Sequence, residues 1–205
     1  MNRLTRNILA SLALLASTSV FAASESYGTL LAGSYQPSAS FASLSVSGSG
    51  NVYSFTLTSL GLNSLFTSGA FIGSIAVDTT PDLRLTGKNA DVITLSDVSG
   101  DATIQAKNGK GPGGDWDFQF DLGNHGAYRL TDNESITWTA TFSKPVEFAD
   151  IGFALHVQGL SKLQGGSAWY VASAPVITAV PEPQTYAMLL SGLALLGFAA
   201  RRKIV

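Results

Sequence analysis

Ser135-Ile-Thr-Trp-Thr-Ala-Thr-Phe142 alternates without a break. Ile136, Trp138, Ala140 and Phe142 fall on one side, and Ser135, Thr137, Thr139 and Thr141 on the other. Side chains of a strand point to opposite faces at every step. The octet therefore reads as a β-strand with one face in a core and the other in water.

The same period recurs on either side of it. Ile151–Val157 sets Ile151, Phe153, Leu155 and Val157 on one face. Asp115–Asp121 sets Trp116, Phe118 and Phe120 against Asp115, Asp117, Gln119 and Asp121. Asn51–Leu57 sets Tyr53, Phe55 and Leu57 opposite Val52, Ser54 and Thr56. Shorter apolar runs add candidate strands at Phe41–Val46, Ala70–Val77, Asp91–Leu95, Ala102–Ala106, Ala127–Leu130 and Ala168–Ala172. Ala23–Ser40 reads as a partly ordered lead-in strand, and Ala172–Val180 as a last strand with a linker. Turn-forming clusters such as Asp78–Asp82 and Asn108–Gly114 separate the runs. No stretch of the middle keeps a helical period, and no repeat of fixed length is present. The expectation is an all-β fold, an antiparallel β-sandwich of jelly-roll type.

Charge is unevenly spread along the 205 residues. Arg3, Arg6, Arg201, Arg202 and Lys203 stand at the two ends. The middle, 23–179, holds seven basic and thirteen acidic residues, all the acids but Glu182, a net of −6 against −2 for the whole chain. Such a surface repels phosphate backbones, which argues against nucleic acid as a partner. Cysteine is absent, so neither a disulfide nor a thiolate site exists.

The ends read as addresses. Asn2, Arg3 and Arg6 form a basic n-region, Ile8–Val20 an apolar stretch, and Val20-Phe21-Ala22 a small-residue cleavage site. Residues 1–22 are thus expected to be a signal peptide cut after Ala22, with a cut after Ala23 nearly as good. At the other end, Tyr186–Ala200 is uncharged and rich in Leu, Ala and Gly, then Arg201-Arg202-Lys203 follows. A helix over 185–200 is short for a membrane span, which wants about 20 residues. The basic cluster acts as a cytoplasmic stop. Pro181 and Pro183 cannot continue that helix upstream, so Val180–Pro183 is expected to be extended and accessible at the outer surface. The division expected is a signal peptide at 1–22, an exported β-domain at 23–179 and a sorting segment at 180–205.

Pro181-Glu182-Pro183, the short apolar helix and Arg201-Arg202-Lys203 resemble a PEP-CTERM sorting signal in order and spacing. The resemblance covers the last twenty-five or so residues. It implies recognition and cleavage by an exosortase in a Gram-negative, polysaccharide-exporting bacterium. It also implies an inner-membrane-anchored intermediate, then release or transfer outward. The physical analogue is an anchor signal whose apolar tail is discarded. Phe148–Val171 is fainter in its likeness to late segments of such host proteins, and brings no site with it.

Candidate chemistry in the middle is sparse. The only histidines are His125, in a Gly-Asn-His-Gly turn, and His156, on the strand face opposite Phe153 and Leu155. No Gly-x-Ser-x-Gly elbow and no His-Glu-x-x-His helix occurs, so an enzyme is disfavoured. A polysaccharide hydrolase or lyase would need Asp115, Asp117 and His156 to converge. Asp115, Asp117 and Asp121 on one face offer oxygen ligands of the kind calcium takes. An acidic solvent face is the preferred account, and no cofactor is expected. Trp116 and Trp138 are assigned to the core. Trp169 and Tyr170 are successive, so one of them faces outward, where a flat ring can stack on a sugar. Asn108–Gly114 follows Lys107 but lacks the order of a phosphate loop, and reads as a hairpin or rim loop. The function expected is a non-catalytic surface or matrix protein associated with exopolysaccharide in biofilm. A lectin-like carbohydrate-binding module is the alternative. Signal peptidase, the secretion machinery, the exosortase and possible exopolysaccharide complete the expected partners.

Overall fold

A computed structural model of the chain describes residues 21–176, apart from 89, 110, 115 and 124. The expected sorting residues Pro181, Glu182, Pro183, Arg201, Arg202 and Lys203 lie outside the described residues, as does most of the expected signal peptide.

Ten strands follow one another: β1 (Phe21–Ala32), β2 (Ala42–Ser49), β3 (Val52–Ser59), β4 (Phe71–Thr80), β5 (Ile93–Gly100), β6 (Ile104–Lys107), β7 (Phe118–Leu122), β8 (Ser135–Phe142), β9 (Glu147–Gln158) and β10 (Ser167–Val176). A one-turn helix, α1 (Leu62–Leu65), lies between β3 and β4. The strands form one antiparallel sheet in the order β5-β8-β3-β2-β1-β10-β9-β4-β7-β6. Its two edges, β5 and β6, come into contact, so the sheet nearly closes on itself.

The all-β, antiparallel class matches the sequence reading. Division into two separate sheets is not what is seen, because β1 pairs with both β2 and β10 and makes the two layers continuous. Closure stops short for a local reason. β6 has only four residues, and β5 carries an irregularity between Ser96 and Ser99 with Asp97 at φ 51°. A short strand and a bulge both blunt an edge.

The core is built from the alternating faces. Phe55 and Trp138 stack at 5.0 Å and 5°. Phe55 also meets Phe120 and Phe153 across the interior, at 5.4 and 6.1 Å. These rings tie the β8-β3 layer to the β9-β4-β7 layer. Burying each ring fully contributes roughly 1.5–3 kcal/mol, before the extra gained by edge-to-face geometry. One end of the barrel is capped by the chain around α1, where Leu62 is fully buried and Phe66 packs on Phe41 and Tyr170. At the other end, the Tyr53 hydroxyl donates to the Val146 carbonyl at 2.8 Å.

Three sequence expectations are corrected here. Ala127–Leu130 is not a strand. Gly126–Tyr128 is a single 3-10 turn, and only Leu130 makes an isolated bridge, to Ile72. The lead-in at Ala23–Ser40 is a full strand up to Ala32, and it begins at Phe21. Finally, Trp116 is only partly buried, because β7 starts after it at Phe118. Its indole donates to the Pro112 carbonyl at 2.8 Å and lies over Gly111 and Ala76. Ala76 sits on the face of β4 opposite Ile75 and Val77, so the glycine-rich loop covers the outside of the sheet there. A Cβ on Gly111 would come within 2.5 Å of the indole and 2.7 Å of the Ala76 methyl, so only glycine lets the loop lie so close.

Candidate functional site

Register places a polar row across the outer face of β7, β4, β9 and β10. Asp121 pairs with Ser74, Ser74 with His156, and His156 with Trp169. Each of these residues points away from the aromatic core by the alternation that buries Phe120, Ile75, Leu155 and Tyr170. Tyr170 is the inward member of the Trp-Tyr pair, fully buried with its hydroxyl donating to the Tyr35 carbonyl at 2.7 Å. Burial holds that phenol well above its ordinary range. Trp169 is the outward one.

Trp169 and His156 stand face to face, with ring centroids 4.3 Å apart and planes within 2°. The Gln158 amide nitrogen lies 3.0 Å from His156 Nδ1. Desolvation between the indole and the neighbouring strands lowers the imidazole pKa from 6.5 to about 4. The ring is therefore neutral at physiological pH, because a charged form in this half-buried place would lose hydration. Ser74 is nearly inaccessible between its two polar neighbours. Beyond it, Asp121 accepts from Lys107 Nζ at 2.6 Å and from the Gln105 amide at 3.3 Å.

The patch thus holds a flat apolar wall of indole and neutral imidazole. The Gln158 amide stands on the same strand as His156, the nearly buried Ser74 hydroxyl one strand away and the Asp121 carboxylate two strands away. That mixture suits a ligand with one apolar face and hydroxyls at its edge, since rings pack on the wall and amides and carboxylates orient the rim.

The other candidates fall elsewhere. Asp117 is not on a solvent face. Its Oδ2 accepts from the Thr79 amide at 3.0 Å, the Thr79 hydroxyl at 2.6 Å and the Leu83 amide at 3.1 Å. It fastens the turn after β4 to the start of β7. Asp121 is engaged with Lys107, and Asp115 lies outside the described residues. Among the described residues, no cluster of three or more His, Asp or Glu is placed to hold a metal. Asp117 and His156 are not brought together, since His156 pairs at Ser74 while Asp117 lies beyond Val77. His125 is exposed and precedes the 3-10 turn. Trp138 is in the core as expected.

Sequence reasoning missed Ser74 and Gln158. Ser74 is a polar residue within the apolar run Phe71–Val77, which was its only signal. Gln158 gave none, because its role depends on a side chain reaching back along β9 to His156.

Ala22 and Ala23, the expected cleavage residues, lie inside β1, paired with Ser47 and Val46. Phe21, just before them, packs on Tyr53 and Phe148 at 6.3 and 5.7 Å. Among the described residues no helix is long and apolar enough to cross a membrane, and the expected span at 185–200 lies outside them.

Residues 179–203 match the PEP-CTERM protein-sorting motif. That motif marks an exported chain, held transiently at the membrane and processed by an exosortase. No curated protein matches the chain. Among solved structures, it is similar to one from Streptococcus parasanguinis, described under pH-induced modulation of adhesion by Fap1 fimbriae. The likeness has 11% identity and a TM-score of 0.40, over 82% of this chain and 99% of that one. A likeness that low does not define a shared fold.

Proposed function

We propose that this chain, which carries the PEP-CTERM sorting motif, works after processing as a non-catalytic surface or matrix protein associated with exopolysaccharide in biofilm. The sorting motif carries the reading. Support comes from the fold's ends, since β1 and β10 are antiparallel neighbours and Ser24 pairs with Val176. The start of β1 and the end of β10 therefore lie side by side at one end of the barrel. The outer faces of the sheet are the surfaces on which polymer would be met. On this reading the domain layers are a two-sided β-fold of the sandwich kind, with ligand met on an outer face.

A second reading, a lectin-like carbohydrate-binding module, is favoured by the outward Trp169 beside His156 and Gln158. A sugar ring would pack on the indole and hydrogen-bond to the amide.

The test is mass spectrometry of the protein from cells with and without the exosortase, combined with fractionation of the polymer. Expected is a mature C-terminus near Pro181–Pro183 and protein in the polymer fraction, both lost without the exosortase. Full-length protein ending in Arg-Arg-Lys-Ile-Val in exosortase-competent cells would overturn the sorting step. Correct processing with no protein in the polymer fraction would overturn the polysaccharide role.

A further inference from the structure

The outer face of β1, β2, β3 and β8 differs from the Trp169 side in one respect: it is a field of hydroxyls. Along β2, β3 and β8 the outward residues alternate as Ser43/Ser45/Ser47, Ser54/Thr56/Thr58 and Ser135/Thr137/Thr139/Thr141, with exposed Val52 at the start of β3 the one apolar exception. Register aligns them into rows that cross the strands. Ser24, Ser45, Thr56 and Thr137 make one row, and Ser47, Ser54 and Thr139 make the next, with Ala22 at its end. Neighbours within rows hydrogen-bond to each other: Ser45 to Ser24 at 3.2 Å, Thr56 with Thr137 at 3.2 Å, and Ser54 with Thr139 at 3.5 Å.

No outward position on these four strands carries an ionisable side chain. Charge returns at the edge, with Asp97 in the β5 bulge and Asp101 just after β5, whose carboxylate accepts from the Ser135 amide at 3.0 Å. The chain places thirteen acidic residues between its ends, so a field of this extent without one is a property of the face. Near the end where β1 begins, the field dips into an open depression of ≈ 270 Å³. Its floor includes Ser24, Ser45, Ser47, Ser54 and Thr56. Enclosed small-molecule sites usually run from about 300 to 1,000 Å³, so the dip has room for a single ring against an open surface.

We infer that this hydroxyl face is a second binding surface, for an uncharged, extended β-linked polysaccharide lying across the strands. The inference rests on the polysaccharide reading above and gives it a site and a ligand class. Three features choose this occupant. Strands lie about 4.8 Å apart, so each row repeats at a distance comparable with one residue of an extended β-linked glycan. Serine and threonine hydroxyls both donate and accept, so they can meet a sugar hydroxyl in either sense. And a charged polymer would find no counter-charge here, while the −6 of the middle region repels acidic polymers in particular.

Affinity gel electrophoresis of the full chain in mild detergent tests this. The gels contain a soluble uncharged β-linked glucan, an uncharged α-linked glucan or a uronic-acid polymer. Expected is retardation by the β-linked glucan alone, unchanged on raising salt, because no ion pairs are involved. Thr56→Lys and, separately, Ser47→Lys each weaken retardation at least tenfold, while Trp169→Ala leaves most of it. Near-UV circular dichroism from buried Trp138 checks that each variant is folded. Retardation that survives both lysine variants but is lost in Trp169→Ala overturns the hydroxyl face and leaves the polysaccharide reading standing. Stronger retardation by the uronic-acid polymer overturns the uncharged ligand. No retardation by any of the three defeats the polysaccharide reading itself, and this site with it.

Discussion

Acid should loosen the protein through His156. The neutral imidazole, stacked on Trp169, has its pKa lowered from 6.5 to about 4 by burial. A group of this kind prefers its neutral form in the fold. Its contribution is therefore complete above pH 6.5, declines as pH falls below that, and is gone once pH passes about 4. At about 1.4 kcal/mol per pH unit, the interval corresponds to about 3 kcal/mol. The ring is only partly buried, so solvent screening reduces the expected loss to about 1–2 kcal/mol. Stacking opposes the loss further, since an imidazolium over an indole gains a cation–π attraction of roughly 0.5–1 kcal/mol. Urea unfolding at pH 7, 5.5 and 4, run on wild type and on His156→Gln, isolates the contribution, because every other ionisable side chain is common to both proteins. Wild type should lose about 1 kcal/mol more than the variant between pH 7 and pH 4. Tryptophan emission should fall with a midpoint near pH 4 in wild type only, as the charged ring quenches Trp169. Equal losses in both proteins would refute the burial argument.

Three further outcomes follow from the packing. Asp117→Ala removes one oxygen that takes three hydrogen bonds and strands the Thr79 and Leu83 amides, so chemical denaturation should show a loss of about 3 kcal/mol. Phe55→Ala, which removes three ring contacts between the layers and the stack on Trp138 within its own, should cost about 3–5 kcal/mol in the same assay. Glu25 faces inward, and burial raises its pKa against the opposing bond from Tyr27. Its penalty appears as pH rises through that raised value, so Glu25→Gln should stabilise the fold at pH 7 by less than about 1 kcal/mol and have no effect at pH 3.

Alternation made the strands legible. Ser135–Phe142, Asn51–Leu57 and the inward set of Phe153, Leu155 and Val157 each keep the period, because one face meets rings and the other meets water. The continuous sheet was not legible. Pairing of β1 with β10 joins residues some 150 positions apart, and nothing local encodes it. The Ala127–Leu130 run failed because a short, mostly apolar stretch can also close a 3-10 turn when a glycine at φ 53° starts it. At the site, the outward direction of either Trp169 or Tyr170 could be read, but not which. Asp117 misled because alternation predicts where a side chain points and not which turn it will grip.

The position of β10 has a consequence for the order of events at the membrane. It is the last of the described strands in chain order, yet it lies between β1 and β9, so the meander begun by β1 and the layer ending in β9 share no ladder until it arrives. Until it is in place, both flanking strands offer bare amides and carbonyls, the condition in which chains pair with strangers. Only four residues separate its end from Pro181. The ladder across the barrel is thus completed only once Ser167–Val176 has been made, and a chain stopped before it would hold two unmated halves.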